Sequence, residues 1–227
     1  MEVGAGAYTT ALVYPAQQPG VGAALILGHG AGAGQQSPFM TDFAGALAAL
    51  GTDIITFNFL YTEQKRRLPD RAPVLETCYR AVIEAVRDRV DTARHALFIG
   101  GKSMGGRIAT QVAAADADLP FAGLVLLGYP LHSPGRPERL RDAHLPAVGR
   151  PMLFVQGSRD GFGTPGELAP ILARITPPPT MHEVAGGDHS FKLTGRDPAK
   201  QAAMYEEIQR AMVRWMGLTA PNRAGAR

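Results

Sequence analysis

The sequence predicts an α/β fold in which a mainly parallel central sheet is flanked by helices. Three observations predict it: short apolar runs recur along the chain, each run precedes a polar or glycine-rich loop, and a segment with helical spacing follows. The runs lack the polar alternation of half-exposed strands, so we expect strands that are buried on both faces. The six runs are residues 23–27, 54–59, 96–99, 124–127, 152–155 and 181–184.

Three helices are predicted around these strands. Residues 39–50 end before Gly51, which suits the end of a helix. Residues 74–90 carry apolar side chains at helical spacing, and residues 198–216 begin with Pro198 in the first turn and end before Gly217. Residues from about 218 to 227 are expected to form a flexible tail.

Length and composition bound the class of protein. The 227 residues, 45% of them hydrophobic, suffice for one well-filled core, so we expect a single domain over residues 1–227. The net charge is only +3, and the one dense basic cluster, Lys65, Arg66 and Arg67, is far shorter than the basic stripe of a nucleic-acid-binding protein. We therefore expect no nucleic-acid partner.

Cysteine content and hydropathy predict a cytoplasmic location. Cys78 is the only cysteine, which excludes an intramolecular disulfide and a multi-cysteine zinc site. Residues 1–10 lack the pattern of a secretory signal, and the longest apolar run is far below the roughly 18 residues of a membrane span. We expect a soluble protein with no membrane partner, no cofactor and no metal.

The strongest local signal is a serine between a predicted strand and a predicted helix. Gly101, Ser103 and Gly105 fill the pattern G-x-S-x-G directly after the run at residues 96–99. This turn is so tight that a Cβ two residues before or after the serine would collide with neighbouring backbone. The pattern predicts that Ser103 is an exposed nucleophile at the end of the sheet.

A phosphate-binding loop is the competing interpretation of the same residues. Gly101, Lys102 and Ser103 match the end of G-x-x-x-x-G-K-[ST]. The first glycine of that motif is missing, because Ala96 occupies its position and the intervening residues belong to the predicted strand.

A serine nucleophile needs an imidazole base and a carboxylate that orients the base. Asp160 follows the run at 152–155, and His189 follows the run at 181–184, so both are expected at the carboxyl edge of the sheet. Asp188 is a poorer candidate, because adjacent side chains on an extended loop point apart. We predict that His189 is the general base and Asp160 its partner.

A glycine-rich loop at residues 28–34 completes the predicted site. It follows the first buried strand, where a backbone N–H could form an oxyanion hole with the N–H of Met104. Ala31 is the preferred donor and Gly32 the alternative, with His29 bracing the loop. The loop also fits a loose dinucleotide-binding pattern, but Leu60 and Tyr61 follow the next strand where that site requires an acid.

These motifs together resemble the α/β-hydrolase superfamily over nearly the whole chain. In detail the sequence resembles a dienelactone-hydrolase-like group that is similar to testis-expressed protein 30. The resemblance rests on residues 28–32, 57–61, 69–73, 101–106 and 187–190. It implies an α/β-hydrolase fold and a serine hydrolase. Dienelactone hydrolases proper have a cysteine nucleophile where this chain has Ser103, so their lactone specificity does not transfer.

The predicted function is hydrolysis of a small ester through an acyl-enzyme intermediate; the alternative is a catalytically weak hydrolase fold that serves as an interaction scaffold. About 20 residues separate the runs at 124–127 and 152–155, enough for a connecting helix but not for a large lid. Five aromatic residues on loops at the carboxyl edge are candidates to line the substrate pocket: Phe39, Tyr61, Tyr129, Phe162 and Phe191.

Overall fold

The computed structural model describes residues 1–4, 6–195 and 197–221. In these residues a seven-stranded sheet has the order β3-β5-β4-β6-β7-β8-β9, and β1 and β2 pair separately near the N-terminus. The strands are β1 Glu2–Gly4, β2 Ala7–Tyr8, β3 Ala11–Tyr14, β4 Ala24–Gly28, β5 Asp53–Phe57, β6 Leu97–Lys102, β7 Gly123–Leu127, β8 Met152–Gly157 and β9 Thr180–Val184.

The predicted mainly parallel sheet is confirmed. In this sheet strands β4 to β9 pair in parallel, and the edge strand β3 runs antiparallel to β5. The strands β4, β6, β7 and β8 are buried along their whole length, which accounts for their uninterrupted apolar runs. Strand β3 was not predicted because it is short and lies at the edge, where Val13 is half exposed.

Helices cover both faces of the sheet. Buried side chains of α1 and α7 pack on one face, and those of α3, α5 and α6 pack on the other. The helices are α1 Pro38–Ala49, α2 Leu60–Glu63, α3 Ala72–Arg89, α4 Asp91–His95, α5 Met104–Ala114, α6 Pro165–Leu172 and α7 Pro198–Thr219. None of the helices in the described residues is long and apolar enough to cross a bilayer.

Helix α7 continues three residues beyond its predicted end. Gly217 lies inside the helix and does not end it. This glycine packs against Val21, whose Cγ1 would be only 3.0 Å from an added Cβ. Close packing therefore explains the glycine better than a helix stop. Of the predicted tail at 218–227, residues 222–227 lie outside the described residues.

The stretch between β7 and β8 is long enough for a connecting helix, but the described chain has no α-helix there. Residues 128–151 are irregular apart from a short 3₁₀ helix at Leu145–Ala147. Five prolines explain this, because each lacks an N–H and restricts the residue before it; they are Pro130, Pro134, Pro137, Pro146 and Pro151. No large lid covers the carboxyl edge of the sheet in the part of the chain that is described.

Candidate active site

Ser103 lies on a sharp turn between β6 and α5. Its backbone has φ +50° and ψ −113°, a strained conformation for a residue with a side chain. Its N–H donates to the carbonyl oxygen of Leu127 over 2.9 Å, which ties the turn to β7. The turn thus holds the hydroxyl at the carboxyl edge of the sheet.

Both glycines of the G-x-S-x-G pattern are required by the backbone of Gly28. A Cβ at Gly101 would lie 2.3 Å from the Gly28 carbonyl oxygen, and a Cβ at Gly105 would lie 2.2 Å from the same atom. Real Cβ atoms do not approach backbone oxygens so closely. Strand β4 can therefore pack against the turn only where glycine occupies both positions.

The structure brings Ser103, His189 and Asp160 within hydrogen-bond distance. Nε2 of His189 is 2.9 Å from Oγ of Ser103. On the other side of the ring, Nδ1 is 2.9 Å from Oδ1 and 2.8 Å from Oδ2 of Asp160. With the proton on Nδ1, donated to the carboxylate, Nε2 is free to accept the serine proton.

The carboxylate of Asp160 is fully buried and held by two further donors. The backbone N–H of Phe162 donates to Oδ1 over 2.8 Å, and the side-chain amide of Gln156 donates to Oδ2 over 2.8 Å. Gln156 also accepts from the N–H of Tyr129 at 2.8 Å. Gln156 is not among the site residues predicted from the sequence, although its polar side chain directly after the apolar run of β8 is a signal.

Asp188 stabilises the loop of His189 without contacting the imidazole. Its Oδ1 accepts the backbone N–H groups of Ser190 and Lys192 at 2.8 and 2.9 Å. The imidazole itself stacks against the Phe162 ring, with centroids 4.1 Å apart. The loop therefore orients His189 from its backbone, and Phe162 covers one face of the ring.

Lys102 is buried beside this site rather than solvated. It is 8% exposed, and its Nζ donates to the carbonyl oxygen of His189 over 2.6 Å. Burial lowers the pKa of its ammonium group to about 8, and the negative charges of Asp160 and Asp188 oppose that shift. The sequence did not distinguish this residue from an exposed loop lysine.

His29 braces the glycine-rich loop. Its Nδ1 donates to the carbonyl of Gly30 over 2.8 Å, and its Nε2 accepts the N–H of Phe59 at 3.2 Å. Burial lowers the pKa of His29, which favours the neutral form that this bonding needs. The loop lies over the nucleophile, since a Cβ at Gly30 would lie 3.7 Å from Cβ of Ser103.

The two predicted oxyanion donors of this loop face different cavities. Ala31 lines the cavity that contains Ser103 and His189. Gly32 instead lines a neighbouring cavity together with Tyr61. Met104 is the first residue of α5, and the helix itself does not use its N–H. The arrangement therefore favours the N–H of Ala31 over that of Gly32 as the second predicted oxyanion donor beside the N–H of Met104.

A cavity of about 380 Å³ opens beside the nucleophile. Phe39 and Phe162 line it, as expected from the sequence. The N-terminus of α1, which follows the glycine-rich loop, contributes lining residues that were not predicted. The full lining is Gly30, Ala31, Ala33, Ser37, Pro38, Phe39, Met40, Lys102, Ser103, Phe162, His189 and Ser190.

The other three expected pocket aromatics are buried and do not line this cavity. Tyr61 and Tyr129 are 1% exposed and Phe191 is fully buried. Tyr129 points its hydroxyl at the carbonyl of Arg141, 2.6 Å away. Tyr61 packs edge-on against His29, and Phe191 packs in the core beneath Phe39. Hydrophobic packing draws these rings inward although they lie near the carboxyl edge.

The described residues contain no group of three histidine, cysteine or acidic side chains that could hold a metal ion. Burial raises the pKa of the Cys78 thiol to about 12, so this buried cysteine remains an uncharged thiol at neutral pH.

Three solved structures are similar to this chain in fold. A serine hydrolase without a lid from Xanthomonas campestris is 23% identical, with 94% of this chain and 90% of that chain covered and a TM-score of 0.71. A dienelactone hydrolase from Anabaena variabilis is 18% identical, with 96% of each chain covered and a TM-score of 0.73. Est1E from Butyrivibrio proteoclasticus, with ferulic acid bound, is 13% identical, with coverage of 93% and 95% and a TM-score of 0.73.

The fold therefore agrees with the superfamily that the sequence resembles. The family model described as an alpha/beta hydrolase domain matches residues 21–217, which is most of the chain, and the protein therefore belongs to the alpha/beta hydrolase domain family.

Proposed function

We propose that this protein is a serine hydrolase that cleaves small carboxylic esters through an acyl-enzyme intermediate. Family membership supports hydrolase activity in general. The observation that carries the specific proposal is the 2.9 Å separation between Oγ of Ser103 and Nε2 of His189, with Asp160 behind the ring. A serine hydroxyl becomes a useful nucleophile when a base this close accepts its proton.

Each side chain has one role in the proposed reaction. As Oγ of Ser103 attacks the ester carbonyl carbon, its proton passes to Nε2 of His189, and Asp160 stabilises the resulting imidazolium. The N–H groups of Met104 and Ala31 stabilise the tetrahedral oxyanion. The imidazolium then protonates the leaving alkoxide, and the acyl group remains on Ser103.

Water completes the cycle by the same route in reverse order. His189 takes a proton from the water as it attacks the acyl-serine carbonyl, and the second tetrahedral intermediate collapses to a free carboxylic acid. Ser103 recovers its proton from the imidazolium. Both halves of the reaction use the same three side chains and the same two backbone N–H groups, with water as the second nucleophile.

The cavity supports a small substrate. At about 380 Å³ it lies toward the lower end of the range of small-molecule sites. Phe39, Met40 and Phe162 give it an apolar wall suited to a short acyl or aromatic group. The single buried cysteine favours a reducing compartment, so we propose that the substrate is a cytoplasmic metabolite.

A fluorophosphonate probe tests the nucleophile. We expect covalent labelling of the wild-type protein, loss of labelling in Ser103→Ala, and full labelling in Ser133→Ala, whose serine lies outside the cavity. A series of 4-nitrophenyl esters of increasing acyl length then tests the substrate class, with the highest kcat/KM expected for short chains. An unlabelled wild-type protein that binds a partner stably in a pull-down experiment would favour the scaffold alternative instead.

A further inference from the structure

Lys102 is the only charged side chain, apart from the titratable His189, among the described residues that line the cavity of Ser103. It ends β6, immediately before the nucleophile, and it is 8% exposed. A lysine so deeply buried is unusual, because an ammonium group loses its hydration when it leaves water. Its position beside Ser103 calls for a physical explanation.

The ammonium group of Lys102 has hydrogen-bonding capacity that the described residues do not use. A protonated lysine has three N–H donors, and in this part of the chain one of them is used, toward the carbonyl oxygen of His189. No carboxylate of the described residues forms a salt bridge with Nζ. Its other close neighbours are the rings of Phe39 and Phe191, with centroids 5.9 and 5.7 Å away.

The two nearest acids are committed to other partners. Asp160 accepts from His189, Gln156 and the N–H of Phe162. Asp188 accepts the backbone N–H groups of its own loop. Both favour the charged lysine at longer range without neutralising it by direct contact.

We propose that Lys102 binds a carboxylate of the substrate, so that the substrates are small esters that carry one anionic carboxyl group close to the scissile bond. This inference rests on the proposed function and names its substrate class. The free donors of Nζ match the two oxygens of a carboxylate. A single cation near Asp160 and Asp188 suits a monoanion better than a dianionic phosphate, which those acids would repel.

Matched pairs of esters test this preference. Monoethyl succinate is compared with ethyl 4-oxopentanoate, in which a methyl group replaces the carboxylate oxygen on the acyl side. Acetoxyacetate is compared with acetoxyacetone, which makes the same change on the alcohol side. We expect the wild-type protein to have the higher kcat/KM for the anionic ester in at least one pair.

Substitution of Lys102 assigns the preference to this residue. We expect Lys102→Met to lower the ratio of anionic to neutral kcat/KM by roughly 10- to 100-fold, the usual effect of a hydrogen bond to a charged group. Lys102→Arg should keep part of the preference. Lys192→Met is the matched control, because Lys192 is on the loop of His189 but is exposed and does not line the cavity. In this variant the ratio of anionic to neutral kcat/KM should stay within about twofold of wild type.

Two results of these kinetic measurements would overturn the proposal. One is a wild-type protein that prefers the neutral ester in both pairs. The other is an equal loss for both members of the preferred pair in Lys102→Met, which would mean that Lys102 only supports the loop of His189. Because the ratio is measured within one protein, a general loss of active enzyme does not imitate the expected result.

A binding measurement separates this inference from the proposed function. Butyrate is titrated calorimetrically into Ser103→Ala and into Ser103→Ala/Lys102→Met. We expect Ser103→Ala to bind butyrate more tightly than Ser103→Ala/Lys102→Met. This difference in affinity should shrink between pH 7 and pH 9, as Lys102 loses its proton. Asp160, Asp188 and His189 also face Nζ, but both proteins contain them. Equal binding by the two proteins would contradict the inference, whereas a lack of hydrolysis and of probe labelling would contradict the proposed function alone.

Discussion

The side-chain amide of Gln156 donates a hydrogen bond of 2.8 Å to Oδ2 of Asp160, inside the sheet and out of contact with solvent. The same amide donates to the carbonyl of Gly163 over 2.6 Å, and its oxygen accepts the N–H of Tyr129. Gln156 therefore links β8 to the loops that carry the carboxylate and to the turn after β7. It fixes where Asp160 points.

We expect Gln156→Leu to lower kcat for ester hydrolysis with little change in KM, because the carboxylate loses a donor and orients His189 less well. The N–H of Tyr129 would also lose its partner, and each buried group left unpaired costs about 1–3 kcal/mol of unfolding free energy. Ester kinetics and urea denaturation measure the two effects. Gln111→Leu, on the outer part of α5, should leave kcat unchanged; an unaltered kcat in Gln156→Leu would show that Gln156 serves stability alone.

Gly105→Ala should disrupt the turn of Ser103. The new Cβ would lie 2.2 Å from the carbonyl oxygen of Gly28, so either β4 or the start of α5 must shift. We expect loss of probe labelling at Ser103 together with a lower melting temperature. The matched control is Gly45→Ala in α1, where nothing lies within 4 Å of an added Cβ and the change should stabilise the helix by about 0.5–1 kcal/mol. Equal melting temperatures for the two variants would contradict this account.

The sequence predicted the parts of this site that depend on local geometry. A tight turn between a strand and a helix needs glycine at fixed spacing, so Ser103 could be identified from its neighbours alone. Asp160 and His189 followed because parallel strands end at one edge of the sheet. The roles of Phe191 and Lys102 depend on how α1 and the loop of His189 pack together, and no local pattern records that packing. The length of the proline-rich stretch after β7 leaves room for a helix, but its prolines prevent one from forming.

Phe162→Ala should weaken catalysis through His189. The Phe162 ring stacks on the imidazole and lines the cavity, so its loss lets water reach the pair formed by His189 and Asp160. We expect a lower kcat and a higher KM for short acyl esters. Tyr61→Phe is the comparison, because Tyr61 lies outside the cavity and its buried hydroxyl has no hydrogen-bond partner among the described residues. Its kinetics should match those of the wild type, and a raised KM in that variant would place Tyr61 in the substrate site after all.

The free energy of unfolding should rise with pH over the range in which Lys102 is neutral in the folded protein but still charged in the unfolded chain. Burial lowers the pKa of Lys102 from 10.5 to about 8, so between these values the unfolded state binds more protons and the free energy of unfolding increases with pH. The full shift corresponds to about 3 kcal/mol, at roughly 1.4 kcal/mol for each pH unit. Other lysines and tyrosines also titrate near pH 10, so the quantity to measure is the difference in unfolding free energy between wild type and Lys102→Met, by urea denaturation from pH 7 to pH 10. That difference should stay constant below pH 8 and then move in favour of the wild type. A difference that does not change with pH would mean that the ammonium group is well solvated. Lys102 would then not be the unsatisfied buried charge from which carboxylate binding is inferred.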